Sequence, residues 1–217
     1  WAVAQGYATI DFAVQAGATA VCLHLGEIAL PTHMEWALRQ RYLAGQRHAS
    51  VYAGARDALA QARAANAGPA LAAVQRSLAE LADYARPRGV RLGIESRFHY
   101  HEIPTWSELD WLLRQSDPAV VGFWYDLGHV QVLHNLSLHE HQAWLAAFAQ
   151  RVVGVHFHDV VGLRDHLIPG MGELDFAALA VALPAQAVRT CEFDWYFGAA
   201  EVQAGARHLA VCGCLEQ

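Results

Sequence analysis

Four residues able to hold a divalent cation each close a short apolar run. Val90–Ile94 ends in Glu95, Val120–Tyr125 in Asp126, Val152–Val155 in His156, and Val188–Cys191 in Glu192. Their separations of 31, 30 and 36 residues are each about one strand-plus-helix unit. A carboxylate at the end of an apolar run is costly to desolvate unless it is paired or coordinated. Three carboxylates brought to one place repel one another. A divalent cation removes that repulsion and accepts the imidazole as well. One acidic strand end is unremarkable, but four possible ligands closing four successive runs point to a metal site. Three carboxylates and one imidazole suit Mn2+, Mg2+, Co2+ or Zn2+.

The flanking residues extend the pattern. Asp126 is followed by Gly128 and His129, and His129 is expected to reach the same mouth from a loop. In an extended segment His156 and His158 share a face, with Phe157 on the other. His158 then touches substrate or a further metal, or serves as a hydrogen-bonded support. Asp165 and His166 lie in a stretch that Gly170 and Gly172 mark as loop, and they either reach the mouth or order that loop. His24 ends an earlier apolar run and should face the same mouth. His99, His101, His134, His139 and His141 receive no role.

The elements that must position these residues follow from periodicity. Five runs read as strands buried on both faces: Ala18–Leu25, Val90–Glu95, Val120–Asp126, Val152–Phe157 and Ala187–Glu192. Helices are expected over Trp1–Ala16, His33–Arg47, Val51–Ala65, Ala70–Arg86, Trp106–Gln115, His139–Gln150, Phe176–Leu183 and Glu201–Val211. Gly68–Pro69 should split or kink the third and fourth of these. Thr105 and Glu108 stand in capping-box positions. Strand–helix alternation implies an α/β fold. No GxGxxG or GxxxxGK[ST] motif supports a dinucleotide or P-loop site.

Parallel strands that close a barrel direct their C-terminal ends to one mouth, where catalytic groups gather. A (β/α)8 TIM-type barrel takes about 250 residues. The 217 residues here supply about five units and are read as one domain, 1–217, N-terminally incomplete by three strands. An open five-stranded α/β sheet is the alternative.

A hydrophobic fraction of 54% against 17% charged indicates a folded chain. The net charge of −6 argues against nucleic acid, whose binders usually carry a basic excess. No apolar run approaches the roughly 18 residues of a membrane span, and no basic start with an apolar block marks a secretory signal. The chain opens on Trp1 rather than Met, so a longer gene product is expected. Cys22, Cys191, Cys212 and Cys214 form no CxxC pair; Cys22 and Cys191, in apolar runs, are expected as buried free thiols, and the location as cytoplasmic. Trp106, Trp111, Trp144 and Phe148 are read as helix packing or an interface, which leaves a homo-oligomer open.

"LGIE", "YDLGH", "VHFHD" with "DHLIPGMGELDF", and "CEF" together resemble the xylose isomerase-like TIM-barrel superfamily, which includes sugar isomerases and epimerases and the endonuclease IV branch. The resemblance runs from about His24 to the end. It implies that Glu95, Asp126, His156 and Glu192 are shared metal ligands and that His129 touches substrate or a second metal. It further implies an isomerase or epimerase acting on a small sugar, sugar phosphate or polyol, with Glu95 and Glu192 moving protons. The alternative is a phosphoesterase like the endonuclease IV branch, with several metals and His24, His129, Asp165 and His166 as extra ligands, although Asp165 and His166 are adjacent where that branch has one residue between. A barrel with a degenerate site, serving only to bind, is the non-enzymatic reading.

Overall fold

The computed structural model describes residues 1–215. Helix α1 (Ala2–Gln15) leads into strand β1 (Ala20–Leu23), then α2 (Thr32–Leu43), α3 (Ser50–Ala85), β2 (Arg91–Glu95), α4 (Trp106–Arg114) and β3 (Val121–Asp126). Helices α5 (Leu127–Asn135) and α6 (His141–Phe148) precede β4 (Val152–Phe157). A hairpin of β5 (Asp159–Val161) and β6 (Arg164–Leu167), then α7 (Phe176–Ala182), β7 (Val188–Cys191) and α8 (Ala199–Val211), completes the described chain. The five expected strands form one sheet, ordered β1-β2-β3-β4-β7, and every pairing in it is parallel.

The sheet curls. In a flat sheet the ends of β2 and β7, three strands apart, would be separated by about 14 Å. Instead Glu95 Oε1 and Glu192 Oε2 each lie 2.8 Å from His156 Nδ1. The concave face carries Gly93 and Glu95, Trp124 and Asp126, Gly154 and His156, as strand alternation requires. Trp124 floors the mouth. A Cβ on Gly93 would meet its side chain at 2.9 Å and one on Gly154 at 2.5 Å, so glycine on both neighbouring strands makes room for the indole.

The convex face packs on helices. Phe123 stacks near Trp144, with ring centroids 5.6 Å apart, and Phe148 joins them. Each such fully buried side chain stabilises the fold by about 1.5–3 kcal/mol. Trp106 packs on Phe148 and Trp111 packs on the same core, so all four aromatics singled out above are helix-packing residues. Thr105 N–H donates to Glu108 Oε2 at 2.7 Å, the expected cap of α4.

Four expectations are corrected. Gly68–Pro69 does not divide the long helix: α3 runs through Pro69, which is exposed, so water can satisfy the carbonyl that loses its partner. His129 sits in a helix and not in a loop, because Asp126 caps α5 by accepting from His129 N–H at 2.8 Å. Asp165 and His166 belong to β6, antiparallel to β5, and not to a loop. Cys191 is exposed and Cys22 only half-buried, although all four thiols are free; β7 is an edge strand, so one of its sides stays open. No helix among the described residues is long and apolar enough to cross a membrane.

Candidate metal centre

One ligating atom from each of Glu95, Asp126, His156 and Glu192 lies within 4.8 Å of the others. A β-bulge helps to bring this about. Phe123 is level with Val152 but Trp124 with Gly154, so Asp126 stands beside His156. Without the extra residue Asp126 would be level with Val155, and His156 would face the helices.

The donors crowd into ion-pair range, His156 Nδ1 lying 2.8 Å from both Glu95 Oε1 and Glu192 Oε2, yet not in hydrogen-bond geometry. Asp126 Oδ2, His156 Nδ1 and Glu192 Oε2 are buried atoms with no hydrogen-bond partner. Buried polar atoms are nearly always paired, so three unpartnered atoms directed at one point fit a cation. His156 Nδ1 lies 3.5 Å from Asp126 Oδ2. Burial works against imidazolium, but Asp126, Glu192 and Glu95 outweigh it and hold His156 up at about 11. Burial would raise Glu95, yet His156 and His24 hold it down at about 2. Asp126, fully buried, is likewise held well below the carboxylate range by the histidines around it.

A supporting layer surrounds these four. His24 Nε2 lies 2.6 Å from Glu95 Oε2, facing the mouth as expected. Arg97 also pairs with Glu95 and donates from Nη2 to Glu102 Oε1 at 2.8 Å. Ser96 Oγ donates to the Asp126 carbonyl and accepts from the Asp126 N–H, both at 3.0 Å. His166 N–H donates to His158 Nδ1 at 2.8 Å, so Nδ1 holds the lone pair. The proton is then on Nε2, which donates to Asp126 Oδ1 at 2.9 Å. Both nitrogens of His158 are therefore engaged within the protein, and the residue is fully buried, beyond the reach of substrate.

His129, Asp165 and His166 gather beside the first group. His129 Nδ1 donates to the Ser96 carbonyl at 3.0 Å, which leaves the Nε2 lone pair free, 3.7 Å from Asp165 Oδ2. His166 Nδ1 lies 3.2 Å from the same oxygen and its Nε2 3.7 Å from Glu192 Oε1. His166 is held up at about 10: burial opposes its charge, but Asp165 and Glu192 prevail. Eight of the nine residues singled out from the sequence thus gather at one mouth, and His158 lies buried behind Asp126.

Sequence reasoning passed over Ser96, Arg97 and Asp159. Arg97 lies two residues beyond Glu95, a parity that could have flagged it. Asp159 is buried and accepts from the N–H groups of Gly170 and Gly172 at 2.9 and 2.8 Å, which folds the following loop back. Its place in His-Phe-His-Asp was the available signal.

Comparison with known proteins agrees with this architecture. Over 107 residues the chain is 33% identical to an inosose dehydratase from Lactiplantibacillus plantarum, covering 40% of this chain and 34% of that protein. The crystal structure of a D-tagatose 3-epimerase-like protein superposes with a TM-score of 0.63 at 17% identity, covering 95% of this chain and 66% of that one. An IOLI protein with a bound zinc atom superposes with a TM-score of 0.63 at 14% identity, covering 99% and 70%. The matched part of the chain is thus about a third of the curated relative and about two thirds of the first of these structures. A family model described as xylose isomerase-like TIM barrel matches residues 1–210, and the chain belongs to that family.

Proposed function

We propose that this chain carries the metal centre and the proton-transferring carboxylates of an isomerase or epimerase acting on a small sugar, sugar phosphate or polyol. The observation that carries the reading is the convergence of unpartnered Asp126 Oδ2, His156 Nδ1 and Glu192 Oε2 beside Glu95. Those four side chains would hold the ion, of which Zn2+, Mn2+, Mg2+ and Co2+ are the candidates. When bound, a divalent cation supplies Lewis-acid polarisation of a carbonyl and so eases removal of the neighbouring proton.

The chain's own residues do the rest. Glu192, with 44% of its side chain exposed, opens to the mouth and suits taking that proton. Glu95 lies deeper, with 2% of its side chain exposed, and His24 and Arg97 hold it in place. Epimerisation returns the proton to the opposite face; a dehydratase makes the same first removal, then releases the adjacent hydroxyl as water. The similarity to an inosose dehydratase and to an epimerase-like structure supports this shared first step. The test is exchange of substrate C–H with solvent deuterium across a panel of ketoses and cyclic ketopolyols, using metal-loaded full-length enzyme. Exchange that Glu192→Gln removes supports the reading; no exchange with any member sinks it.

A second reading has its own observation. His129 Nε2, Asp165 and His166 gather around a neighbouring position, as further metal ligands of a phosphoesterase would. A single ion bound at the mouth supports the isomerase; additional ions that depend on His129 and Asp165 support the phosphoesterase.

A further inference from the structure

A second group of ligating side chains meets away from the mouth, where α2 packs on the segment that follows β2. Glu35 in α2 is 6% exposed. His99 Nδ1 lies 2.9 Å from its Oε1, and His101 Nδ1 lies 3.2 Å from its Oε2. One ligating atom from each of the three lies within 4.8 Å of the others.

Neutralising the carboxylate does not require two histidines. Arg39 Nε already donates to Glu35 Oε1 at 2.9 Å, and Tyr100 N–H donates to Oε2 at 3.0 Å. The imidazoles are additional, and their Nδ1 atoms lie at useful distances. Ligands about 2.0–2.1 Å from a tetrahedral ion are roughly 3.3 Å apart; His99 and His101 approach different oxygens of Glu35, and with one ligating atom from each residue within 4.8 Å of the others, a shift of about an ångström and a half or less would let a single ion reach all three. His101 Nε2 lies 3.5 Å from Glu27 Oε2. An outer carboxylate on the far nitrogen is the usual support of a metal-binding histidine, and Glu27, whose side chain is largely exposed, stands in ion-pair range of that nitrogen. A cavity of about 620 Å³, lined by Thr32, His33, Trp36 and the two histidines, gives an ion and its water a way in.

We propose that Glu35, His99 and His101 form a binding site for a divalent transition-metal ion, Zn2+ foremost, separate from the one at the barrel mouth. Two imidazoles and one carboxylate with an open fourth position make a borderline-soft donor set, which suits Zn2+ better than Mg2+ or Ca2+. The ion ties α2 to the segment carrying Arg97, so its role is structural. Nothing in this inference depends on the reaction proposed above.

The test is zinc content after equilibrium dialysis at micromolar free Zn2+, for the unaltered protein, for His99→Ala/His101→Ala, and for His156→Ala/Glu192→Gln. Both histidine side chains are partly exposed, at 47% and 30%, so their removal leaves the core intact. The expected result is one Zn2+ fewer per chain in the first variant and one retained in the second. Visible absorption of tetrahedral Co2+ in the His156→Ala/Glu192→Gln protein should disappear when His99→Ala is added. Equal zinc content in the unaltered protein and in His99→Ala/His101→Ala overturns the proposal. Loss of zinc confined to His156→Ala/Glu192→Gln overturns it too, and leaves the mouth reading intact.

Discussion

His158 Nε2 lies 2.9 Å from Asp126 Oδ1, and neither residue is exposed to solvent. The bond fixes the rotation of the carboxylate, so that Oδ2, without a partner of its own, is aimed at the candidate metal position. Removing the imidazole should cost about 10–100-fold in metal affinity, the usual effect of losing a group that orients a ligand. Competition with a chromophoric chelator measures this. Unchanged affinity in His158→Ala would mean that Asp126 needs no such support.

Gly128 offers an independent route to the same defect. A Cβ there would come within 2.0 Å of His158 Cε1. Gly128→Ala should therefore displace the ring and reproduce the loss of affinity, with far-UV circular dichroism preserved. Normal metal binding in Gly128→Ala would show that the ring can shift at no cost.

Glu192 differs from His158 in being a proposed ligand. Glu192→Gln should weaken metal binding by more than the roughly 10–100-fold cost of losing a support. Metal content equal to that of the unaltered protein would remove Glu192 from the site.

Arg63 should matter for stability rather than chemistry. It is buried, donates to Glu108 Oε2 at 2.8 Å and to the Glu102 carbonyl at 2.9 Å, and so pins the segment between β2 and α4 to α3. Arg63→Ala leaves the buried Glu108 carboxylate without its counter-charge, with the Thr105 N–H still donating to it, and should destabilise the fold by about 3–5 kcal/mol. Urea denaturation reads this directly; a change below about 1 kcal/mol would contradict it.

Acid sensitivity should reside partly in His139. Burial pushes it down to about 4, with Arg63 adding to the effect, and its Nε2 has no hydrogen-bond partner. The folded protein keeps this ring neutral while the unfolded chain takes up a proton near pH 6.5, so stability falls as pH drops from about 6.5 to 4. The displacement corresponds to about 3 kcal/mol. His139→Phe should flatten the fall in stability across that window and raise stability at its lower end. An unchanged pH profile of the denaturation midpoint would refute this.

The elements were largely legible from local sequence. Buried parallel strands need continuous apolar runs, and all five sheet strands appear within about two residues of their expected ends. Helix α5 is not legible from the sequence, because its start is fixed by the Asp126 cap and the same carboxylate also presents itself as a ligand. The hairpin of β5 and β6 is not legible because its strands, DVV and RDHL, are three and four residues long, too short to show a period.

What the sequence alone determined is which residues can bind a cation and that each closes a strand. It could not determine that they meet. A one-residue bulge between β3 and β4 sets His156 beside Asp126, and the curl of the sheet carries Glu192 to Glu95 across three strands. Tautomer, too, is a tertiary matter: the N–H of His166, brought over His158 by the hairpin, decides which ring nitrogen faces Asp126. The same holds for Glu35, whose two histidines lie 64 and 66 residues away, so that only packing of α2 against the β2–α4 segment joins them. Sequence spacing encodes local periodicity, whereas convergence of charge depends on sheet curvature and register, which arise from contacts between distant segments.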